Sequence, residues 1–354
     1  MRALVAIPGS AGTAHVTDRP AVHPGDGDLL IRALEVGVCG TDREISAGLF
    51  GVAPQESEQL VLGHEFLGAV EIGGHGFARG DLVTATVRRS CGHCEACLAG
   101  SPDSCDSGEY RERGITALDG FASELVVEDP ANVLAVPSSL GRLGVLAEPA
   151  SICARGIRHA QLIGERQPWA PTRTLVLGSG AIGMLATFLL RLRGDDVWAV
   201  GRQPAGSDKG LLIDAIGARY VCTADVTTAE LAADVGGFDL VLEATGDAQV
   251  MLDTLGLLRR NGVACLLGLD GHDQQVTIDG RIIGIDAILE NRVLFGSVNA
   301  ARIDWLTAIE ELDRANARWP EELAACVGLR VPLDRFEEAF AFGGVKATLQ
   351  IEEL

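Results

Sequence analysis

The chain has 354 residues, 47% of them hydrophobic and 22% charged, which is enough apolar material for two packed cores and excludes a disordered chain. Its net charge of −20 disfavours non-specific binding to nucleic acid or to anionic membranes and fits a solvated acidic surface. Almost all of the positive charge is arginine, because lysine occurs only at Lys209 and Lys346.

Residues 1–9 are broken by Pro8 too early for a secretory leader and read as a first strand. The longest uncharged run, residues 174–190, is shorter than a membrane span needs and holds three glycines. The expectation is a soluble, cytoplasmic protein. Short alternating apolar runs follow in the first part of the chain. They predict strands at 2–6, 28–38, 65–72, 82–86, 122–127 and 133–136, separated by turns such as Pro24-Gly25-Asp26-Gly27. Residues 161–173, with Pro168 and Pro171, read as a loop. Buried-type strands are then predicted at 175–177, 197–200, 220–222, 240–243, 263–267 and 294–298, with helices at 182–193 and 208–216. Strands and helices alternating in this way predict a parallel sheet covered by helices. The tail carries a predicted helix at 304–317 and a last strand at 347–351.

The strand at 175–177 runs into Gly178-Ser179-Gly180-Ala181-Ile182-Gly183, a G-x-G-x-x-G loop that opens a helix. In that context the motif predicts a dinucleotide site. Gly178 makes the tight turn, Gly180 admits the pyrophosphate, Gly183 lets helix and strand pack, and the helix N-terminus faces the anion. The next strand ends in Gly201-Arg202-Gln203, where an NAD site usually carries a carboxylate. Arg202 there suits a 2′-phosphate, with Gly201 leaving room for it, so NADP is expected over NAD. The alternative is a solvent-facing Arg202, with Asp208 turned back to serve NAD.

Nine cysteines in a chain without a leader suggest metal before disulfides. Cys91, Cys94, Cys97 and Cys105 give C-x2-C-x2-C-x7-C, the pattern of a closed structural zinc site. An iron–sulfur cluster or free thiols are the alternatives. The bacterial ferredoxin spacing differs in its last gap. Cys39, His64, Glu65 and, near the end of the first half, Glu148 offer the donor types of a catalytic zinc with one open position. Cys153, Cys222, Cys265 and Cys326 show no ligand spacing and read as small core residues.

The succession Gly37-Val38-Cys39-Gly40-Thr41-Asp42, Leu62-Gly63-His64-Glu65, the Cys91 to Cys105 lobe and the Gly178 to Gly183 loop resembles the zinc-containing medium-chain dehydrogenases along essentially the whole chain. Within them, Val87-Arg88-Arg89, Glu112-Arg113-Gly114-Ile115, Asp119-Gly120-Phe121, Leu146-Ala147-Glu148-Pro149 and Gly296-Ser297-Val298-Asn299 are similar to the archaeal-type glucose 1-dehydrogenases. The resemblance implies an α/β chain in three parts. A chaperonin-10-like β-rich catalytic domain would occupy residues 1–150, with its zinc lobe near 88–108. A Rossmann domain would occupy 151–300, and 301–354 would return to the catalytic domain.

It further implies one catalytic zinc (Cys39, His64, Glu65, Glu148) and one structural zinc. Thr41 would belong to a proton relay, with Glu65 or Glu148 as the alternative route. Glu112, Glu148 and Asn299 would face sugar hydroxyls, and Thr245 and Asn299 would lie along the cofactor. The expected reaction passes a hydride from a sugar or polyol hydroxyl to NADP, with an aldose giving a lactone, in a homo-oligomer (dimer or tetramer). Some sugar dehydrogenases of the group carry a carboxylate where this chain has Ile152. That apolar residue keeps a cyclitol, aminocyclitol or secondary alcohol open as the substrate. A zinc-holding binding or redox-sensor protein is the reading from outside enzymology.

Overall fold

The computed structural model describes residues 1–270, 272 and 275–352. The chain divides into two compact units. The first comprises Met1–Glu148, Asn299–Asp313 and Val327–Leu354, and the second Pro149–Val298 and Arg314–Cys326.

The first unit is built on a seven-stranded sheet. Its strands lie in the order Val133–Ala135, Leu82–Ala85, Glu65–Ile72, Leu29–Gly37, Lys346–Gln350 and Val327–Pro332, with Leu125–Glu128 pairing to Leu29–Gly37 as well. The long central strand Leu29–Gly37 is nearly all buried, so it reads as a continuous apolar run and was predicted almost to the residue. Its far end aligns Gly37 with Glu65 on one side and with Thr348 on the other. That register brings the C-terminal strand beside the segment carrying His64 and Glu65. A core of Phe66, Phe121, Ile31, Val36 and Leu349 packs beneath, with the Phe66 and Phe121 rings stacked at 4.4 Å.

Glu35 sits within this sheet at 0% exposure. Its carboxylate accepts from Arg330 at 2.9 Å, Arg142 at 3.2 Å and the Thr348 hydroxyl at 2.5 Å. It thus ties the C-terminal strands to the central one. A buried carboxylate is tolerated only when paired and fully hydrogen-bonded in this way.

The second unit holds a six-stranded sheet in the order Arg219–Cys222, Asp196–Gly201, Arg173–Leu177, Phe238–Glu243, Leu258–Leu266 and Val293–Gly296, every neighbouring pair parallel. This is the doubly wound order, with the strand order reversing about the strand that feeds the glycine loop. All six strands overlap predicted ones, because the apolar stretches of parallel strands are legible as short runs. The helices Ala147–Gly164, Thr228–Val235, Ala248–Leu257 and Pro320–Ala325 were not predicted, and the first of them runs into the stretch read as a loop.

Within the tail, the segments before residue 314 and after residue 326 group with the first unit, whereas residues 314–326 group with the second. Packing explains this: Trp319 meets buried Phe188 edge-on at 5.9 Å, and Leu323 and Cys326 are fully buried.

Replacing Glu35 with Ala leaves two arginines without their shared carboxylate. The variant should lose about 3 kcal/mol of stability, read as a lower urea midpoint. A loss under about 1 kcal/mol would mean that water satisfies both arginines.

Candidate active site and dinucleotide loop

The first unit carries two clusters of metal-ligand side chains. Cys91, Cys94, Cys97 and Cys105 bring their sulfurs within 4.8 Å of one another. The sulfur–sulfur distances are 3.9 Å for Cys91–Cys97, 3.4 Å for Cys94–Cys97, 3.8 Å for Cys94–Cys105 and 3.6 Å for Cys105–Cys91. Four sulfurs bound tetrahedrally to zinc at about 2.3 Å lie about 3.8 Å apart, so the quartet fits a closed zinc site with no open position. All nine cysteines are free of disulfides, and Cys153, Cys222, Cys265 and Cys326 are buried in the cores as small apolar residues.

The second cluster is Cys39, His64 and Glu65, whose donor atoms also lie within 4.8 Å of one another. Local structure explains the convergence. Cys39 caps helix Gly40–Ser46, and its backbone N–H donates to Asp42 Oδ2 at 2.8 Å. The other oxygen of Asp42 accepts from Gly63 N at 3.1 Å and stands 3.7 Å from His64 Nδ1. One buried carboxylate therefore holds both ligand-bearing segments in place. Gly63 adopts φ +87, a left-handed turn that glycine makes without strain, and delivers His64 to the start of strand Glu65–Ile72. Gly37 is required for a different reason: a Cβ there would lie 2.0 Å from Glu65 Oε2. Thr41 places its hydroxyl 4.0 Å from the Cys39 sulfur.

The pocket is strongly anionic. Asp42, Glu65 and Glu148 are all buried beside His64, and the one buried lysine, Lys346, binds Glu65 Oε1 at 2.5 Å and the Val38 carbonyl at 3.2 Å. Burial, with Glu65 and Asp42 nearby, pushes the Glu148 carboxyl up to about 7. Burial also raises Asp42, against the pull of His64. Burial alone would discharge His64, yet Asp42, Cys39 and Glu148 outweigh it and hold the imidazole well above its usual range. Among the described residues Glu65 Oε2 is buried with no hydrogen-bond partner, whereas His64 Nδ1 faces Asp42. A buried polar atom left unpaired costs about 1–3 kcal/mol, a cost that coordination removes. Sulfur, nitrogen and oxygen donors, an anion excess and an orphaned carboxylate oxygen together fit a zinc site open on one side. Sequence reasoning did not foresee the parts played by Asp42 and Lys346. Asp42 lay inside the quoted Cys39 motif, whereas nothing local marks Lys346.

Glu112 and Asn299 also lie in the first unit. The Glu112 carboxylate is paired with Arg88 at 2.9 Å, and Asn299 donates to the Asp103 carbonyl at 3.4 Å. Asn299 has φ +66, a conformation uncommon outside glycine that asparagine tolerates best.

The glycine loop lies in the second unit. Gly178 turns at φ +101 between strand Arg173–Leu177 and helix Ala181–Arg193. A Cβ on Gly183 would lie 1.8 Å from the Gly178 carbonyl, so helix and strand touch there. A Cβ on Gly180 would meet nothing within 4 Å, leaving space beside the helix N-terminus. No side chain caps that terminus, so its N–H groups remain free for an anion. Ser179, Ala181 and Ile182 complete the loop. The Thr245 N–H and hydroxyl are both held by Glu243 Oε1, and the Thr245 methyl would be 3.2 Å from a Cβ on Gly178.

Gly201 does not serve the expected purpose. A Cβ there would collide with the Tyr220 hydroxyl at 2.5 Å and Ser179 Oγ at 2.7 Å, so glycine makes room for these protein groups rather than for a phosphate. The Tyr220 hydroxyl donates to the Gln203 carbonyl at 2.8 Å. Arg202 is exposed at the tip, and among the described residues its guanidinium has no hydrogen-bond or ion-pair partner. Burial, together with the charge of Arg202, holds the Lys209 pKa below its usual value. Two cations thus gather at this tip in a chain with 49 acidic residues.

No helix among the described residues is long and apolar enough to cross a membrane. Residues 25–138 match the alcohol dehydrogenase GroES-like domain, and residues 141–351 match the glucose dehydrogenase C-terminus. The glucose 1-dehydrogenase of Methanocella arvoryzae is 39% identical, over 96% of this chain and 95% of its own. That of Thermoproteus tenax is 37% identical, over 99% of this chain and 100% of its own. The solved Haloferax mediterranei glucose dehydrogenase, in complex with NADP, Zn and gluconolactone, superposes with a TM-score of 0.91 at 29% identity over the whole of both chains. By sequence, by fold and by the make-up of its two metal-ligand clusters, the chain belongs to the zinc-dependent medium-chain dehydrogenases, in their glucose dehydrogenase subfamily.

Proposed function

We propose that this chain oxidises an aldose, glucose in the first place, at its anomeric hydroxyl with NADP and releases the lactone. The observation that carries the proposal is the anion-rich convergence of half-buried Cys39 with buried His64 and Glu65, in which Glu65 Oε2 has no hydrogen-bond partner among the described residues. The names of the relatives, and the lactone complex of the Haloferax protein, support the substrate class. Cys39, His64, Glu65 and Glu148 are the residues that would hold the catalytic zinc, not all at once. Cys91, Cys94, Cys97 and Cys105 would hold the structural one.

When bound, zinc supplies Lewis acidity to the sugar hydroxyl and NADP supplies the hydride acceptor. The chain's own residues do the rest. Asp42 fixes the Cys39 and Gly63 segments, so the ligand side chains are preorganised. Lys346 engages one oxygen of Glu65 and leaves the other free. Thr41, beside Cys39, takes the hydroxyl proton toward water, with Glu65 or Glu148 as the alternative carboxylate route. Glu112, Glu148 and Asn299 meet the sugar hydroxyls. On the cofactor side, the free N–H groups at Gly180 to Gly183 receive the pyrophosphate, and Arg202 with Lys209 receives the 2′-phosphate. Gln203, Thr245 and Asn299 border the bound dinucleotide. Overall, C1 gives a hydride to the nicotinamide and its hydroxyl gives a proton to solvent, so glucose loses two hydrogens and closes as the lactone.

The protein is proposed to act in the cytoplasm as a homo-oligomer. Ile288 and Leu289, both 68% exposed near the edge strand Val293–Gly296, offer apolar surface for a second copy.

His64→Ala and Cys39→Ser should each lower kcat by at least about a thousandfold while the melting curve stays cooperative, measured by NADPH formation and calorimetry. Turnover near that of the parent would remove the open-site assignment. Arg202→Ala should raise KM for NADP about tenfold or more and leave KM for NAD nearly unchanged. Equal effects on both cofactors would contradict the phosphate role.

A further inference from the structure

The adjacent arginines 88 and 89 precede the cysteine lobe, and the structure separates their duties. Arg89 turns toward Glu128 and the Thr86 carbonyl. Arg88 turns toward Glu112. Its Nε and Nη2 donate to Glu112 Oε1 at 3.1 and 2.9 Å, and its Nη1 donates to the Asp103 carbonyl at 2.8 Å. The flat face of its guanidinium covers the Tyr110 ring, 4.1 Å from the centroid. Only 11% of the side chain is exposed.

Two features make this more than an anchoring ion pair. Both contacts to Glu112 fall on the same oxygen, Oε1. Among the described residues the other oxygen meets only the Thr116 hydroxyl, at a long 3.4 Å, and so keeps acceptor capacity. The carboxylate is therefore clamped by one oxygen and presents the other. Its segment also lies against the metal-ligand segment. A Cβ on Gly114 would lie 2.5 Å from the Gly63 carbonyl, and Phe121 N donates to that same carbonyl at 2.9 Å, one residue before His64. The Asp103 carbonyl that receives Arg88 also receives Asn299 Nδ2, from a residue held at φ +66. Strain of this kind collects where a side chain must be aimed.

We infer that Arg88 is a positioning residue for the sugar: it aims the free oxygen of Glu112 and, through the Asp103 carbonyl, sets Glu112 and Asn299 in one frame. The inference rests on the reading above that Glu112 and Asn299 face the substrate. Lysine cannot replace this arginine, because an ammonium has neither the planar fork nor the stacking face.

The test uses full-length, zinc-loaded protein with Arg88→Lys, Glu112→Gln and the double variant, assayed with glucose and with singly deoxygenated glucoses at saturating NADP. Arg88→Lys should raise KM for glucose about tenfold while KM for NADP stays within about twofold. Glu112→Gln should do at least as much, and the double variant should be no worse than Glu112→Gln alone. The deoxyglucose that the parent discriminates against most should lose that penalty in both single variants. As a second arm, added methylguanidinium should lower the glucose KM of Arg88→Ala toward the parent value. An unchanged glucose KM in Arg88→Lys, or single effects that multiply in the double variant, would overturn the inference. An unchanged glucose KM in Glu112→Gln would instead remove the assignment of Glu112 to the sugar, a separate failure.

Discussion

The structure of the first unit turns on one electrostatic constraint: three buried carboxylates and a half-buried thiol surround a single histidine, with Lys346 as the permanent cation among these described residues. Unpaired buried charge costs several kcal/mol per group. The fold meets part of that cost by inserting the C-terminal strand Lys346–Gln350 beside the central strand Leu29–Gly37, which carries Lys346 to Glu65. Glu35, with Arg142, Arg330 and Thr348, fastens the same strand one layer away. What remains after these pairings is an anion excess and one orphaned oxygen, Glu65 Oε2. A polar pocket left incomplete in this way destabilises the free protein, and it is the arrangement that a divalent ion completes.

Local pattern made much of this legible from sequence. The four-cysteine lobe and the glycine loop are short motifs whose spacing reflects their geometry, so a few residues suffice to find them. The six parallel strands each carry a short apolar run that needed no alternation to be seen. Several helices of the second unit escaped, among them two with identifiable reasons. Ala248–Leu257 runs apolar residues straight into the following strand, which blurs the helical period. Thr228–Val235 did carry a signal, the Thr227 and Glu230 capping box, that would have placed its start. The strand expected at 122–127 begins later, at Leu125, because Ala122 spends its backbone bonds on Leu4 and Leu62.

The interactions that no local pattern reveals are those made across the chain. Lys346 lies 281 positions from Glu65, and Arg330 lies 295 from Glu35. Both pairs exist only because the tail returns to the first sheet. Gly201 teaches a related point. Sequence suggested a glycine that clears space for a phosphate. The structure shows one that clears space for Tyr220 and Ser179. The residue type was informative, but its neighbour Tyr220 lay nineteen positions away, on the next strand.

The central claim is that the residual anion excess around His64 is a metal seat that serves oxidation of a sugar hydroxyl. Its most direct test is the rate of NADPH formation from glucose by protein stripped of metal with a chelator, then titrated with zinc until the closed and the open sites are both filled. The account predicts no turnover while only the four-cysteine site is filled and a rise in activity as the second equivalent binds. Equal activity before and after that equivalent, or no glucose oxidation with both sites filled, would contradict it.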